Sequence, residues 1–273
     1  MRHRDLRVLG RAEVVLLLRE HLFELGLSRF LPLGDPTRFL GEIAGFFSRA
    51  KDESCGPDEI AAFAGTLHRS AGEARAAAES VSDDREQHAL RQHADAVELL
   101  AVEHDELGRA LRAYRSILDQ RGLLDFGDQV LRAYELIRDD PLVAARVREQ
   151  HRWILVDEYQ DTNRLQGALV DLISEGRRNL TVVGDDDQSI YRFRGAAIGN
   201  ILGFADRYPD ARKVVLTKNY RSSGPILAAA RRLIRFNDPE RLEVRLGISK
   251  ELTPERNPVT PRSEEHTSEL QSH

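Results

Sequence analysis

Three short, nearly continuous runs of apolar residues constrain the fold of this chain more than any other feature of its sequence. They lie at residues 153–156, 180–183 and 214–216, and segments with helical periodicity separate them at residues 164–174 and 196–205. A strand that is apolar at almost every position, rather than at every second one, is typical of a parallel sheet covered on both faces. The alternation therefore predicts an α/β fold built on a parallel sheet.

The first half of the chain has the periodicity of helices instead. Apolar side chains recur there at steps of three and four residues, which places them on one face of a helix. These positions are Val14, Leu17, Leu18 and Leu22; Phe39, Ile43, Phe46 and Phe47; and Val97, Leu100, His104, Leu107, Leu111, Tyr114 and Leu118. Residues 71–92, rich in Ala, Glu, Arg and Asp, predict either a solvated helix or a linker. No second His, Cys or carboxylate pairs with His104, so a packed or partly exposed histidine is favoured over a metal ligand.

Charge and cysteine content narrow the class of protein. The net charge of -5 at pH 7 gives no overall attraction to nucleic acid or to an anionic membrane, so any contact with DNA must come from local basic clusters. The single cysteine, Cys55, excludes an internal disulfide framework and is typical of a reducing compartment. No apolar stretch is long enough to cross a bilayer, and the N-terminus has no signal-peptide pattern. We expect a cytoplasmic protein with no membrane partner.

Acidic residues follow the first two predicted strands. Residues 157–161 (DEYQD) come directly after the first strand, and residues 185–187 (DDD) come after the second. Because ligands of parallel sheets bind outside the carboxyl ends of the strands, both groups are expected at one crevice. Adjacent carboxylates repel one another unless a cation or hydrogen-bond donors face them, and Mg²⁺ is commonly held by carboxylates together with substrate phosphates. The pattern predicts a metal site with a phosphate substrate, the alternative being a polar loop that closes a strand.

Three segments of this region resemble motifs of the UvrD/Rep/PcrA group of superfamily 1 DNA helicases. Residues 154–163 (ILVDEYQDTN) resemble the Walker B segment, motif II, and residues 183–196 (VGDDDQSIYRFRGA) resemble motif III. Leu216 with residues 219–222 (NYRS) resembles motif IV. The match weakens upstream, where residues 124–128 (LDFGD) depart from the family's Leu-Asp-Phe-Asp-Asp stretch at Gly127. Motifs in this order and spacing identify the chain as a member of the group.

The resemblance implies an incomplete P-loop NTPase (RecA-like) parallel sheet with a mostly helical inserted subdomain. Residues 1–50 would be the N-terminal helical part of the first RecA-like domain, 51–121 the helical insertion, and 122–236 the ATPase core. Residues 237–261 would begin the following region. Residues 262–273 resemble a translated sequencing adapter and are expected to be an assembly artefact rather than part of the fold.

The same resemblance implies roles in Mg-ATP hydrolysis. Asp157 and Glu158 would hold Mg²⁺, with Glu158 also polarising the attacking water. Gln188 would sense the γ-phosphate, and Arg221 would contact it in the transition state. The expected catalytic residues are Glu158, Gln188 and Arg221, and the expected ATP-binding residues are Gln160, Asp161, Gln188, Tyr220 and Arg221. For Arg221 the alternative is a surface ion pair.

A DNA-binding surface is expected beside motif III. Tyr191 and Phe193 can present two rings to a single strand, and Arg194 supplies a cation; such platforms bind single strands with little sequence preference. Core packing is the alternative for either ring. Family members often carry Trp at the position of Phe193, so stacking there is expected to be weaker. The arginines at positions 231, 232 and 235 are expected to form a solvated helix face.

One family motif is missing from the sequence. No Gly-x-x-x-x-Gly-Lys-Ser/Thr occurs, so the loop that cradles the phosphates of ATP has no counterpart here. The family's C-terminal motifs are absent as well. We expect the chain to be a fragment of an ATP-dependent DNA helicase that translocates 3′ to 5′ on single-stranded DNA, inactive by itself. The alternative is a non-catalytic remnant that binds DNA or a protein partner.

Overall fold

The computed structural model describes residues 6–189 and 198–255, which form a mixed α/β structure that is mostly helical. The helices are α1 (Arg11–Glu20), α2 (Leu40–Asp52), α3 (Pro57–Ser80), α4 (Asp84–Arg121), α5 (Phe126–Asp139), α6 (Pro141–Gln150), α7 (Arg164–Ser174), α8 (Ile198–Leu202), α9 (Phe204–Arg207), α10 (Gly224–Ile234) and α11 (Leu242–Arg245). The strands are β1 (Arg7–Leu9), β2 (Leu123–Asp125), β3 (Ile154–Val156), β4 (Leu180–Val182), β5 (Lys218–Asn219) and β6 (Thr253–Pro254). Among the described residues, no helix is long and apolar enough to cross a membrane.

The main apolar core lies between α1, α2 and the C-terminal half of α4. The helical periodicity of the sequence is confirmed for Leu18, Phe47 and Leu111, which are buried, whereas Leu100 of the predicted stripe is 46% exposed. Tyr114 of α4 stacks on Phe47 of α2 with 5.2 Å between the ring centroids. Burial of each large apolar side chain contributes about 1.5–3 kcal/mol, so these contacts hold the first half of the chain together.

Helices α3 and α4 form a long antiparallel hairpin. Of the two structures that the composition of residues 71–92 allowed, the helix is the one observed, interrupted between Ser80 and Asp84. Asp83 caps the N-terminus of α4, because its carboxylate accepts hydrogen bonds from the backbone N–H groups of Arg85 and Glu86 at 3.0 and 2.8 Å. The interface consists largely of small side chains that let the two helices approach closely; fully buried alanines lie at positions 64, 71, 78, 94, 101 and 110.

A buried lysine joins the hairpin to the rest of the chain. Lys51 Nζ lies 2.5 Å from Asp125 and 2.7 Å from Asp128, and Tyr114 donates a 2.9 Å hydrogen bond to Asp125. Burial raises the pKa of Asp125, but Lys51 together with the hydrogen bonds from the Asp128 N–H and from Tyr114 outweighs burial and leaves that pKa below its usual value. A Cβ at Gly127 would lie 3.0 Å from Lys51 Cδ, so the glycine that departs from the family pattern leaves room for the lysine.

The described strands form three separate two-stranded parallel sheets, β1–β2, β3–β4 and β5–β6. The first two predicted strands are confirmed as β3 and β4, paired in register from Ile154 with Leu180 to Val156 with Val182. The prediction of a third strand at residues 214–216 is wrong. No described strand lies beside this run to take up its backbone hydrogen bonds, and Leu216 is 74% exposed. The chain pairs two residues later instead, at β5.

The prediction that the sheet is covered on both faces is also wrong for the described residues. Trp153 and Leu155, at the start and in the middle of the first run, are 75% and 77% exposed, and Val183 is 49% exposed. Successive side chains of a strand point to opposite faces, so one face of β3 lacks a covering layer among the described elements.

Candidate functional site

Strands β3 and β4 bring two acidic segments to one edge of their sheet, as the sequence predicts. The backbone ladder continues past both strands, since the N–H of Val183 donates to the carbonyl of Val156 at 2.8 Å and the N–H of Tyr159 donates to the carbonyl of Val183 at 2.9 Å. Residues 157–161 therefore lie beside residues 184–188. The carboxyl end of a parallel strand pair is where such folds bind ligands.

A chain of hydrogen bonds joins the two segments through one buried amide. The Gln160 side chain donates from Nε2 to Oε2 of Glu158 at 2.6 Å, and its Oε1 accepts the backbone N–H of Asp185 at 3.0 Å. The Gln188 amide in turn donates to Oδ2 of Asp185 at 2.8 Å. Gln160 is 1% exposed, so the amide that makes both bonds is shielded from water, although the Glu158 carboxylate itself is exposed. Glu158 and Gln188 are thus connected through Gln160 and Asp185.

Gly184 allows this close approach at the end of β4. A Cβ at this position would lie 2.7 Å from Oε1 of Gln160 and 2.8 Å from Cδ1 of Ile201. Both distances are shorter than nonbonded contacts permit, and Gln160 cannot retreat without breaking its two hydrogen bonds. A residue without a side chain is therefore required where β4 turns towards the acidic segment.

The two acids after β3 are both exposed, and they are held by the backbone itself. Glu158 has φ 49° and ψ 43°, in the left-handed region that is uncommon for residues other than glycine. Its N–H donates to Oδ1 of Asp157 at 2.9 Å, and its carbonyl accepts the N–H of Asp161 at 2.8 Å. A non-glycine residue held in this conformation is often found at a functional site. The turn leaves both carboxylates open to a ligand.

Buried aromatic packing and a hydrogen bond hold the turn Tyr159–Asp161 in place. Tyr159 is fully buried, its ring packs edge-to-face against Phe204 at 5.7 Å, and its hydroxyl accepts a hydrogen bond from Arg207 at 3.1 Å. Burial raises the pKa of the Tyr159 hydroxyl. The Oδ1 atom of Asp161 is buried and has no hydrogen-bond partner in the described part of the protein. A buried acceptor of this kind requires a donor or a cation.

Two basic side chains lie beside residues 185–187, and the expectation of a divalent ion at these aspartates stays a prediction. Lys250 Nζ bonds to all three carboxylates, at 2.7 Å from Asp186 and 2.9 Å from Asp187, with Asp185 the third partner. Arg241 bonds to both oxygens of Asp187, at 2.6 and 2.7 Å. Burial raises the pKa of Asp187, but Arg241 and Lys250 outweigh burial and hold that pKa below its usual value. The three carboxylates have oxygens within 4.8 Å of one another, and two basic side chains face them.

Comparison with known proteins decides the family. The family model of the UvrD/REP helicase N-terminal domain matches residues 17–209, which include β3, β4 and the hydrogen-bonded chain between them. The chain belongs to this family. The two segments that resemble motifs II and III of this family are the ones that meet at the edge of the β3–β4 sheet.

Named relatives of this helicase family cover about half of the chain. It is 42% identical over 144 residues to the ATP-dependent DNA helicase PcrA of Leuconostoc citreum, covering 52% of this chain and 19% of that protein. It is 43% identical over 130 residues to DNA helicase II of Escherichia coli (strain K12), covering 48% and 18%. It is 44% identical over 129 residues to the ATP-dependent DNA helicase Rep of Buchnera aphidicola subsp. Baizongia pistaciae, covering 47% and 19%. The matched region spans about a fifth of the length of these relatives.

The segment that resembles motif IV begins at the end of β5, in a different sheet from the segments that resemble motifs II and III. The Asn219 side chain accepts the backbone N–H groups of Arg221 and Ser222 at 3.1 and 2.8 Å, which shapes the turn that carries the motif. Tyr220 is 71% exposed. Tyr220 and Arg221 lie outside the chain of hydrogen bonds that joins Glu158 to Gln188.

The expected DNA-binding residues Tyr191, Phe193 and Arg194 lie outside the described residues. The expected solvated helix face carries two exposed arginines, Arg232 and Arg235. The third arginine of that face, at position 231, is half-buried and pairs with two glutamates, at positions 243 and 251.

Sequence reasoning missed Arg241 and Lys250. The three consecutive aspartates indicated that positive charge must face them, which was the available signal. It could not distinguish a metal ion from basic side chains that lie 54 to 65 residues further along the chain. His104, in contrast, is confirmed as a packed, half-buried histidine: its ring contacts Phe63 at 5.1 Å and Phe46 at 6.4 Å.

Proposed function

We propose that this chain is part of the ATPase core of a DNA helicase, which couples Mg-ATP hydrolysis to 3′-to-5′ translocation on single-stranded DNA. The observation that carries the proposal is the buried amide of Gln160, which connects Glu158 of motif II to Asp185 and Gln188 of motif III. A hydrolytic residue and a phosphate-sensing residue need such a connection if hydrolysis is to be communicated beyond the site.

The residues present fit a nucleotide with its magnesium ion. Mg²⁺ takes oxygen ligands, and the exposed carboxylates of Asp157 and Glu158 offer them at the edge of the sheet. The buried, unpartnered Oδ1 of Asp161 lies in the same turn and calls for a donor or cation. When bound, Mg²⁺ would neutralise the charge that develops on the phosphates. Asp157 and Glu158 would hold it, and Tyr220 and Arg221 would contact the nucleotide.

Glu158 is arranged to orient a water molecule. One of its carboxylate oxygens accepts the bond from Gln160, which fixes the plane of the carboxylate and leaves the second oxygen for the water. Gln188 donates to Asp185 in this structure. To contact a γ-phosphate its amide would exchange Asp185 for the phosphate oxygen. Binding of the phosphate would then change the hydrogen bonding of Asp185, near the start of motif III.

We further propose that the β3–β4 pair belongs to a RecA-like parallel sheet. Val183, Val214 and Leu216 are apolar and 49%, 68% and 74% exposed, as expected of positions that further elements of such a sheet would cover. The divisions proposed are residues 1–50, 51–121 and 122–236, followed by residues 237–261. Residues 191–194 (YRFR), with the rings of Tyr191 and Phe193 and the cation of Arg194, would face single-stranded DNA.

The test uses a chimera because the sequence has no Gly-x-x-x-x-Gly-Lys-Ser/Thr loop. Residues 6–255 would replace the corresponding part of a full-length helicase of the UvrD/REP family, chosen because it carries that loop. We expect DNA-stimulated ATP hydrolysis in the chimera, and a loss of about 10²–10⁴-fold on Glu158→Gln, the usual contribution of a general base. A folded chimera that binds DNA without hydrolysing ATP would contradict the proposal.

The missing loop favours a second candidate, a non-catalytic module that binds DNA or a protein partner. The chain alone distinguishes the two when its affinity for a fluorescent single-stranded oligonucleotide is measured by anisotropy. Binding that is lost in a Tyr191→Ala/Phe193→Ala double variant, combined with an inactive chimera, would favour the non-catalytic module.

A further inference from the structure

The segment that follows motif IV is attached to motif III mainly through charged side chains. Arg241 is 5% exposed and is the only buried residue among the described residues 202–255. A segment of this length normally docks through apolar side chains. Here the group withdrawn from water is a guanidinium, which binds Asp187 of motif III as well as Asp238 and Glu243 of its own segment.

Arg241 fixes one side of the motif III turn Asp186–Gln188. Its Nε and Nη2 atoms donate to the two oxygens of Asp187 at 2.6 and 2.7 Å, the paired geometry in which arginine binds carboxylates most specifically. The next backbone N–H, that of Leu242, donates to Oδ2 of Asp186 at 2.8 Å. Two consecutive residues of the segment thus hold two consecutive residues of the turn.

Lys250 fixes the other side, next to Gln188. Its ammonium group donates to Asp185, Asp186 and Asp187, so all three of its protons have carboxylate partners. Lys250 binds Oδ1 of Asp185, and Gln188 binds Oδ2 of the same carboxylate at 2.8 Å. The orientation of the Gln188 amide therefore depends on a carboxylate that Lys250 holds.

The same segment is tied to motif IV three residues later. The N–H of Thr253 donates to the carbonyl of Thr217 at 2.7 Å, and the N–H of Glu255 donates to the carbonyl of Asn219 at 2.9 Å. These bonds pair β6 with β5, directly before Tyr220 and Arg221. Residues 241–255 consequently contact motif III at one end and motif IV at the other.

We propose that Arg241 and Lys250 are positioning residues that clamp motif III to motif IV and set the orientation of Gln188. The role in ATP hydrolysis rests on the proposed function, whereas the clamp itself does not. Neither residue would touch the nucleotide. They would act through Asp185 and Asp187, keeping Gln188 at a fixed distance from Arg221 so that both can contact one γ-phosphate.

The clamp can be tested on the full 273-residue chain. We would record the side-chain amide resonances of Gln188 by NMR and the exchange of the backbone amides of residues 186–189 with deuterium. Lys250→Met and Arg241→Lys are expected to shift the Gln188 resonances and to raise exchange by at least about tenfold, the effect of losing one charge-assisted hydrogen bond. Arg241→Lys keeps the charge and removes only the paired geometry.

Arg231 shares Glu243 with Arg241 and with the backbone N–H of Lys250, so it cannot serve as a control. Arg232→Lys is the matched control, an Arg-to-Lys change at an exposed position of α10. This variant is expected to leave the Gln188 resonances unchanged, and Lys250→Arg is expected to restore part of the protection lost in Lys250→Met. Unchanged exchange and resonances in both Lys250→Met and Arg241→Lys, with the fold intact by circular dichroism, would overturn the clamp.

In the chimera, Lys250→Met is expected to lower kcat for ATP by about tenfold while KM changes less than kcat, because Gln188 would be misplaced without loss of the nucleotide pocket. A lowered kcat restored by Lys250→Arg supports the clamp. If the chimera hydrolyses ATP and Lys250→Met does so normally, the inference fails and the proposed function stands. If the chimera does not hydrolyse ATP, the proposed function fails and the exchange measurements still decide whether the clamp exists.

Discussion

The side-chain amide of Gln160 donates a 2.6 Å hydrogen bond to the carboxylate of Glu158. The same amide accepts the N–H of Asp185, so one buried residue sets both the orientation of the candidate hydrolytic acid and the start of motif III. Buried polar networks are effective in this role only when every group in them is paired, because an unpaired buried group is costly. The consequences of disturbing this bond are correspondingly specific.

Gln160→Leu should remove the orientation of Glu158 while preserving side-chain volume. The carboxylate would lose its buried donor and the Asp185 N–H its acceptor. We expect kcat for DNA-stimulated ATP hydrolysis by the chimera to fall by about 10²-fold, as for other small misplacements of a catalytic group. Gln120→Leu, on the outer surface of α4, is the control and should leave kcat unchanged. An unchanged kcat in Gln160→Leu would mean that the bond has no part in hydrolysis.

Gly184→Ala should destabilise the site end of the β3–β4 sheet. The added methyl would lie 2.7 Å from Gln160 and 2.8 Å from Ile201, so the backbone must shift. Overpacking of this kind destabilises by about 1–3 kcal/mol, which urea denaturation of the chain would measure. Gly199→Ala in α8 is the control: no described atom beyond its own turn of helix lies within 4 Å of the point that its methyl group would occupy, and alanine favours a helix. Equal stabilities of the two variants would rule out the close approach at Gly184.

Lys51→Met should destabilise the junction of α2, α4 and α5. It leaves Asp125 and Asp128 buried without their cation, and removing one partner of a buried ion pair typically costs about 3–5 kcal/mol. Lys218→Met is the matched control, because Lys218 forms an exposed pair with Glu255, and such pairs contribute about 0–1 kcal/mol. Thermal unfolding followed by circular dichroism gives both values. A Lys51 variant no less stable than the Lys218 variant would contradict the assigned role.

The parts of the fold that were predictable are those fixed by local pattern. The strands β3 and β4 follow from apolar runs that end in acids, and α7 coincides with its predicted segment, residues 164–174. Each depends on side chains that are neighbours in sequence. The run at residues 214–216 has the same local pattern and forms no strand, because a strand also needs a partner that its own sequence cannot specify.

Part of the candidate site was predictable from local sequence, and part of it was not. That the acids of motifs II and III share one edge follows from strand direction, which the sequence indicates. That Gln160 is the bridge depends on the register of β3 against β4 and on the missing side chain of Gly184, which no local pattern encodes. The basic partners of residues 185–187 are Arg241 and Lys250. Their positions depend on the path that the chain takes after α10.

His68 should make the stability of the α3–α4 hairpin depend on pH. It lies between two carboxylates of α4, with Nε2 2.9 Å from Asp105 and Nδ1 3.1 Å from Glu98, and Arg75 also faces Glu98 at 3.6 Å. The hydrogen bond to Asp105 raises the pKa of His68 above its ordinary 6.5 and outweighs desolvation, and Glu98 raises it further. Because the folded pKa lies above the unfolded one, the stabilisation is fully present below about pH 6.5 and is lost as the pH rises through the folded value.

We expect the wild-type chain to have a higher melting temperature than His68→Asn. The difference should be largest near pH 5.5 and should shrink towards pH 9. An NMR titration of the His68 ring should give a pKa above 6.5, and Asp105→Asn should lower it, because it removes the acceptor that favours the charged ring. A ring that titrates at or below 6.5 in the wild-type chain, or a difference in melting temperature that grows with pH, would show that the two carboxylates do not hold His68 in its charged form. The bridge between α3 and α4 would then be no stronger than a hydrogen bond to neutral imidazole.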